Sequence, residues 1–205
     1  MTKPDGRVQR SESTRAALVD AARTLFVAHG YTAVSTADIA RTAEVTRNAL
    51  YYHFPTKEAL FRAVYEDVEG KLAERVIPAA QHAPVGPAQL EAGFQAFLDG
   101  CLDPTVARIS IVEAPVALGF TQMREIDNHN YLEALQAILQ EAMDRGALRR
   151  LPVGTLAAML IGALDEAALL IASAEDPVAA RAEAGAAASA LVAGLFAATK
   201  SVRVR

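Results

Sequence analysis

The segment TRNALYYHFPTK, residues 46–57, concentrates three aromatic side chains and a histidine in a stretch too short and too polar to form a core helix by itself. Thr46 has the chemistry of an N-cap and can start a short helix that runs to about Tyr52. Leu50 would face the interior, and Tyr52 and Phe54 would anchor the end of the helix. The other face would expose Arg47, Asn48, Ala49, Tyr51 and His53. This division predicts a helix that needs its neighbours for stability and presents a polar surface.

A second short helix precedes this one and ends in a tight corner. Ser35 and Asp38 have the spacing of a capping box at its start. Small and apolar residues let the two short helices cross closely, which is the packing of a helix-turn-helix. These residues are Ile39, Ala40, Ala43, Val45 and Leu50. An earlier helix that ends at Gly30 would support the pair through one apolar face, formed by Leu18, Ala22, Leu25 and Phe26.

The rest of the chain also shows helical periodicity. A long helix opens at Pro55 and Thr56, repeats apolar residues at steps of four, and stops before Pro78. Residues 78–87 form the clearest loop. Further helices are predicted over residues 122–145, 153–175 and 177–199. No segment shows strand alternation, so we predict an all-α fold.

The chain divides into two regions. We predict a three-helix helix-turn-helix domain over residues 1–58, whose residues 1–11 form a disordered arm, and a helical domain over residues 59–205. The charge changes sign close to this division. Residues 1–60 carry 8 Lys and Arg against 6 Asp and Glu, whereas residues 61–205 carry 12 against 18. The more basic part is therefore the N-terminal one.

Composition bounds the class of protein and its compartment. The net charge of −4 argues against a protein that coats nucleic acid generally, and the single Cys101 fits a reducing cytoplasm. No apolar run follows the opening MTKPDGRVQRSES, which predicts a chain without a secretory signal. Residues 156–174 reach the length of a membrane span, but Asp165 and Glu166 at its centre favour a buried helix of a soluble protein. We therefore predict a cytoplasmic protein with no membrane partner.

The run from Thr14 to Tyr65 resembles the DNA-binding region of the TetR family of transcriptional regulators. The resemblance rests on LF followed by HGY, on TADIARTAEV, and on LYYHF followed two residues later by Lys57. It implies an N-terminal DNA-binding domain, a second domain that dimerises and binds a small-molecule effector, and a palindromic double-stranded operator. A repressor released by a small apolar or amphipathic effector is the function that the resemblance implies.

The resemblance assigns DNA contacts to the exposed face of the second short helix. Arg47 matches the acceptors of guanine, Asn48 can read adenine or donate to a phosphate, and Ala49 is short enough to touch a thymine methyl group. Phosphate contacts are expected from Thr36, Tyr51, His53 and Lys57. Lys57 opposes the helix dipole in the first turn of its own helix, and a phosphate bound there would make it favourable.

Two positions depart from the family pattern. Glu44 stands at the turn where the family usually has Gly, and a left-handed conformation there would cost on the order of 1 kcal/mol. Asn48 also stands where Gly is frequent. Both departures leave the motif in place and leave the operator sequence open.

The last two predicted helices have more apolar surface than one chain of this size can bury. The small residues of AAASALVAGLFAA, 186–198, allow close helix approach. Pairing with a second copy would form a four-helix bundle and a homodimer. The alternative is that these helices form only an internal core.

The effector site can be placed only in a neighbourhood. Aromatic and soft side chains with a few acids supply the candidate lining: Phe94, Phe97, Ile111, Glu113, Phe120, Met123, Asp127, Tyr131, Met159 and Asp165. Each acid could equally be salt-bridged or solvated. The acids favour a cationic or hydroxyl-bearing apolar effector.

Catalysis has no support in the sequence. The four histidines lie far apart, no phosphate-binding glycine loop or nucleophile elbow is present, and DNHN at 127–130 has no partner motif. We predict no catalytic residue, no metal and no cofactor. The main alternative is a dimeric DNA-binding regulator without a small ligand, for which a fully packed second domain would argue. A cavity of a few hundred Å3 would favour the effector-binding reading.

Overall fold

The computed structural model describes residues 6–197, without the side chains of residues 6, 7 and 128. The helices are α1 (Gly6–His29), α2 (Thr36–Thr42), α3 (Arg47–His53), α4 (Lys57–His82), α5 (Pro87–Gly100), α6 (Pro104–Val106), α7 (Ala114–Ala117), α8 (Gly119–Asp127), α9 (Glu133–Asp144), α10 (Val153–Ser173) and α11 (Pro177–Ala197). A π-helical segment, π1 (Ala107–Glu113), joins α6 to α7, and a second, π2 (Asn128–Leu132), joins α8 to α9. These residues include no strand, which confirms the all-α prediction.

The two ends of the chain differ from the prediction where they are described. Residues 6–11 belong to α1 rather than to a disordered arm, because polar residues of adequate helix propensity continue the helix backwards. Residues 1–5 of the predicted arm lie outside the described residues. So does the end of the last predicted helix beyond residue 197.

The helix starts follow the caps predicted from the sequence. Ser35 and Asp38 form a reciprocal capping box on α2. The Thr46 side chain accepts a hydrogen bond from the Ala49 N–H, at 3.1 Å, and Thr56 caps α4 in the same way. Glu44 has a φ of 55°, so in the turn between α2 and α3 it adopts the left-handed conformation for which Gly is usually used.

An aromatic cluster holds the helix-turn-helix against α4. The rings of Phe26, Tyr31 and Phe61 lie 5.2–5.7 Å apart between centroids, within the range of favourable aromatic packing. Phe54 is buried beside this core, as predicted. Tyr52 was predicted as a second anchor, and this is wrong. Its side chain is 81% exposed, because α3 turns it away from the core.

The helix α4 connects the two regions of the chain. It starts at Lys57 beside the helix-turn-helix and continues to His82. The prediction that it stops before Pro78 is wrong, and the loop predicted over residues 78–87 shortens to residues 83–86. Proline removes one backbone hydrogen bond, but Ala80 beyond it packs against Gly93 of α5, where a Cβ would lie only 3.3 Å away. The domain boundary at residue 58 stays a prediction, since one helix serves both regions.

The second region has its own core between α5, α9, α10 and α11. By length and composition, α10 and α11 are each apolar enough to cross a membrane, as core helices of soluble proteins also can be. The prediction of a buried helix over residues 156–174 fits only one side of α10. Its other side exposes Met159 and Leu170, because in a single chain nothing packs over the outer face.

Candidate DNA interface and effector cavity

The exposed face of α3 contains the predicted DNA-contact side chains. Arg47, Asn48 and Tyr51 are exposed, whereas Ala49 and His53 are partly buried. The Tyr51 hydroxyl lies 3.0 Å from Thr36 Oγ1, so the hydrogen bond joins α2 to α3. This hydrogen bond is the main cause that lowers the pKa of Tyr51, and the nearby Arg47 guanidinium is the second. The structure therefore brings the predicted residues of α2 and α3 onto one surface.

Tyr52 is a surface residue that the sequence analysis did not assign to the interface. Its ring lies against His53 in an edge-on contact, with 5.2 Å between centroids. The signal was present in the sequence, because Tyr52 follows Asn48 by four residues and so shares its side of the helix. Its apolar ring favoured the wrong interpretation as an anchor.

Lys57 has internal partners. Its Nζ donates to the backbone oxygens of Tyr31, at 2.9 Å, and Val34, at 3.0 Å. The same Nζ lies 4.3 Å from the centroid of the Tyr31 ring, a cation–π distance. An ammonium group has three donors, so one remains for the phosphate contact, which stays a prediction.

We expect Lys57→Met to lower the free energy of unfolding by about 1.5–3 kcal/mol, because the loop between α1 and α2 loses hydrogen bonds from a charged donor. Chemical denaturation measures the effect. Lys71→Met is the matched control, since Lys71 pairs with Asp67 on the surface, where the loss should stay below about 1 kcal/mol. Equal losses in the two variants would contradict the internal role. If Lys57→Met bound DNA with the same salt dependence as the wild type, that result would count against the phosphate contact.

A cavity of about 620 Å3 lies in the second region between α4, α5, π1, α8, π2, α9 and α10. Its walls are largely apolar and include eight of the predicted effector residues: Phe94, Phe97, Ile111, Phe120, Met123, Asp127, Tyr131 and Asp165. Its size suits a drug-sized small molecule.

Two predicted effector residues lie elsewhere. Glu113 is buried on π1 with its carboxylate turned away from the cavity, because it pairs with Arg108 at 2.7 Å and accepts a hydrogen bond from the Tyr31 N–H at 2.8 Å. It fills the space beside Gly30, where a Cβ would lie 2.8 Å from Glu113 Oε1. Met159 is 69% exposed on the outer face of α10. Neither residue therefore lines the cavity. Helical periodicity does not distinguish a residue on a cavity wall from one that packs against a neighbouring helix or one that is exposed.

The polar cavity residues that the sequence analysis missed include Tyr65, Glu69 and Ser110. Tyr65 and Glu69 project from α4, and Ser110 projects from π1. The Tyr65 hydroxyl donates to Asp127 Oδ1 at 2.7 Å, and the Tyr131 hydroxyl donates to Glu69 Oε2 at 2.9 Å. The step of four between Tyr65 and Glu69 was a usable signal. This spacing was overlooked because Tyr65 and Glu69 lie beside the apolar stripe of the same helix.

Burial governs the protonation of the cavity acids. Removal from water raises the pKa of Asp127 to about 7, and the hydrogen bond from Tyr65 opposes this increase. Burial also raises the pKa of Glu69. It raises that of Asp165 too, although Asp165 as a whole residue is exposed. The pKa values of the Tyr65 and Tyr131 hydroxyls rise for the same reason. The cavity thus holds three acids whose charged forms are disfavoured by burial, and Arg124 opposes this effect for Asp127 and Asp165.

Two regions of the chain match known protein families. Residues 18–64 match "Bacterial regulatory proteins, tetR family", and residues 87–195 match "Tetracyclin repressor-like, C-terminal domain". The second match spans more than half of the chain and includes most of the cavity wall.

Individual relatives agree with these matches. The transposon Tn10 TetC protein of Escherichia coli is 28% identical over 162 residues, which cover 79% of this chain and 82% of TetC. The crystal structure of a TetR-family transcriptional regulator from Pectobacterium atrosepticum has a TM-score of 0.81 and 31% identity, covering 96% of this chain and 98% of that one. The structure of RolR in complex with resorcinol shares the fold, with a TM-score of 0.65 and 20% identity over 97% of this chain and 98% of RolR. This protein therefore belongs to the TetR family and is a DNA-binding transcriptional regulator.

Proposed function

We propose that this protein is a cytoplasmic, homodimeric repressor that leaves a palindromic operator when a small apolar or amphipathic effector enters the cavity. The observation that carries the proposal is the cavity of about 620 Å3 along α4, the helix whose first turn holds the helix-turn-helix. A regulator whose second domain served only dimerisation would need no such space. RolR, which has the same fold, has been crystallised with resorcinol.

The DNA contacts follow from the exposed surface of the helix-turn-helix. Arg47 and Asn48 would read base edges, and Ala49 would lie closest to the groove floor. Phosphate contacts would come from Thr36, Tyr51, Tyr52, His53 and the remaining donor of Lys57. The Thr36–Tyr51 hydrogen bond supports this proposal because it fixes two of these hydroxyls at a separation of 3.0 Å.

Dimerisation would cover the outer faces of α10 and α11. Leu170 and Leu191 are 60% and 55% exposed in the single chain, and exposed apolar faces of this length mark interaction surfaces. Small residues on α11, such as Ala186 and Ala190, would let a second copy approach closely. The resulting four-helix bundle would hold two copies of α3 at a fixed separation, which a palindromic site requires.

The cavity would be coupled to the DNA-binding surface through two connections. One is α4 itself. The other begins at π1, where Ser110 and Ile111 line the cavity and Glu113 bonds the Tyr31 N–H. The oxygen of Tyr31 accepts from Lys57, at the start of α4. An effector that displaces π1 would thus move the loop that supports α2, provided that it binds the displaced arrangement more tightly.

A thermal-shift screen of metabolites and antibiotics would identify an effector, and operator affinity would then be measured with and without it. In the wild type we expect the effector to weaken operator binding by a factor of about 5–150.

Glu113→Ala should reduce the coupling free energy between effector and operator binding by about 0.5–2 kcal/mol while the effector still binds. Glu133→Ala, an exposed position on α9, is the control. Unchanged coupling in Glu113→Ala would overturn the π1 connection, and operator binding insensitive to every bound compound would overturn the repressor proposal.

A further inference from the structure

We propose that the cavity binds organic cations, with an amine held among Glu69, Asp127 and Asp165 and an apolar body against the aromatic walls. The inference rests on the proposed effector cavity and names the chemistry of its ligand. It does not require that the ligand release DNA.

The acids of the cavity provide more hydrogen-bond acceptors than the surrounding residues can satisfy. Among the described side chains, Glu69 Oε2 and Asp127 Oδ1 each accept one tyrosine hydroxyl. Asp165, which is exposed, accepts no hydrogen bond from a described side chain. A buried carboxylate needs hydrogen bonds and a compensating charge to be stable. Glu69 is only 4% exposed and has no ion-pair partner within the part of the chain that the structure describes. A cationic hydrogen-bond donor would therefore both satisfy the Glu69 carboxylate and compensate its charge.

Ser110 is a second observation that points to a polar ligand in the cavity. Its side chain is 3% exposed, it belongs to the cavity wall, and its Oγ makes no hydrogen bond. The hydroxyl lies close enough to Glu69 to favour the charged form of that carboxyl, but its geometry leaves it without a partner. Buried hydroxyls are nearly always hydrogen-bonded. An amine at the Glu69 carboxylate would have a donor to spare for this oxygen.

The charge of the walls discriminates against anions. Four acids that make no ion pair within 4 Å among the described residues line the cavity, namely Glu69, Asp127, Asp165 and Glu166, whereas Arg124 is its one basic side chain among residues 6–197. Arg124 is exposed and makes no ion pair within 4 Å among the described residues. Its charge lowers the pKa of Asp127 and of Asp165 from a longer distance, so one cation offsets only part of the negative charge. An anion would have to approach this excess of carboxyl groups, which would cost it binding free energy.

The ligand would be an organic cation rather than a metal ion. No group of three or more potential ligands within the described residues is placed to hold a metal. Phe94, Phe97 and Phe120 offer apolar and aromatic surface to a larger molecule. The Phe97 ring packs edge-on against Tyr131, with 6.2 Å between centroids, so an aromatic face stands beside the Glu69 carboxylate. Such faces attract ammonium groups.

Isothermal titration calorimetry with three probes of equal chain length tests the proposal. Decylamine, decanol and decanoate, each below its micellar concentration at pH 7.5, differ in the charge of the head group. We expect decylamine to bind about 10-fold or more tighter than decanol, as a charge-assisted hydrogen bond of about 1.5–3 kcal/mol implies, and decanoate to bind most weakly. Decanoate binding as tightly as decylamine, or no binding of decylamine, would overturn the proposal.

Variants locate the ammonium group. Glu69→Gln and Asp165→Asn should each weaken decylamine binding about 10-fold or more and leave decanol binding within about twofold. Glu141→Gln is the matched control, because Glu141 lines the same cavity but is paired with Arg145, and it should change neither affinity. Circular dichroism establishes that each variant is folded, and Asp165→Asn decides the result if Glu69→Gln is not. Equal losses for decylamine and decanol would overturn the assignment.

Operator binding in the presence of decylamine separates this inference from the proposed function. If decylamine binds tightly, this binding depends on Glu69 and the operator is not released, the cation site is supported. The same result would count against the proposal that such cations act as effectors. DNA release by another compound, with no decylamine binding, would support the proposed function and overturn the cation site.

Discussion

Arg47→Ala should reduce the affinity for a selected operator by a factor of about 30 to 10⁴. Each bidentate arginine–guanine contact contributes roughly 1–3 kcal/mol of discrimination, and a dimer on a palindrome makes the contact twice. Arg47 is exposed at the first position of α3, directly after the Thr46 cap, where side chains of a recognition helix reach base edges. An operator selected from a random library with the wild-type protein, followed by fluorescence anisotropy, gives the measurement.

Binding to random-sequence DNA should fall much less, because that binding depends on phosphate contacts alone. Arg75→Ala is the matched control, since Arg75 is an exposed arginine on the distal half of α4. An equal loss on operator and random DNA would move Arg47 to the phosphate-contacting class. A loss in Arg75→Ala as large as in Arg47→Ala would show that the overall charge, and not base recognition, is responsible.

The double variant Leu170→Glu with Leu191→Glu should be a monomer at micromolar concentration. In a two-fold bundle it would place four carboxylates in an apolar interface, and each uncompensated buried charge costs several kcal/mol. Both leucines are more than half exposed in the single chain, so the change should leave each monomer folded. Light scattering measures the mass, and we expect operator affinity to fall to the level of a single half-site.

Val85→Glu provides the control for this double variant. Val85 is an exposed apolar residue in the loop between α4 and α5, away from the outer faces of α10 and α11. It should remain a dimer with unchanged operator affinity. If the double variant were still a dimer, the proposed bundle would be wrong and another surface would have to join the copies.

Local signals allowed much of the helix-turn-helix to be predicted. The Ser35–Asp38 box and the Thr46 cap are found as expected. Glu44 has the left-handed conformation whose cost the sequence analysis considered. These features depend on hydrogen bonds and backbone sterics within a few residues, which sequence spacing describes well. Pro78 shows the limit of such signals. Its local preference to end a helix was overcome by packing between α4 and α5.

The candidate sites divide in the same way. Sequence spacing correctly placed Arg47, Asn48 and Tyr51 on one exposed face, because a helix fixes its faces by geometry alone. Sequence reasoning wrongly predicted that Tyr52 is buried, since an aromatic side chain can lie either in a core or on a surface. It also failed for Glu113 and Glu69, which have similar burial but lie against different neighbours.

Local patterns are enough to predict an all-α chain with an N-terminal helix-turn-helix, because caps, turns and helical periodicity depend on residues close in sequence. Three further features emerge only from the packed fold: Lys57 supports the loop before α2, Glu113 accepts a hydrogen bond from the Tyr31 N–H, and Glu69 faces a cavity. These contacts join residues that are 23 to 82 positions apart or depend on the space left between several helices. The packing of helices determines such distances and spaces, and no local pattern records them.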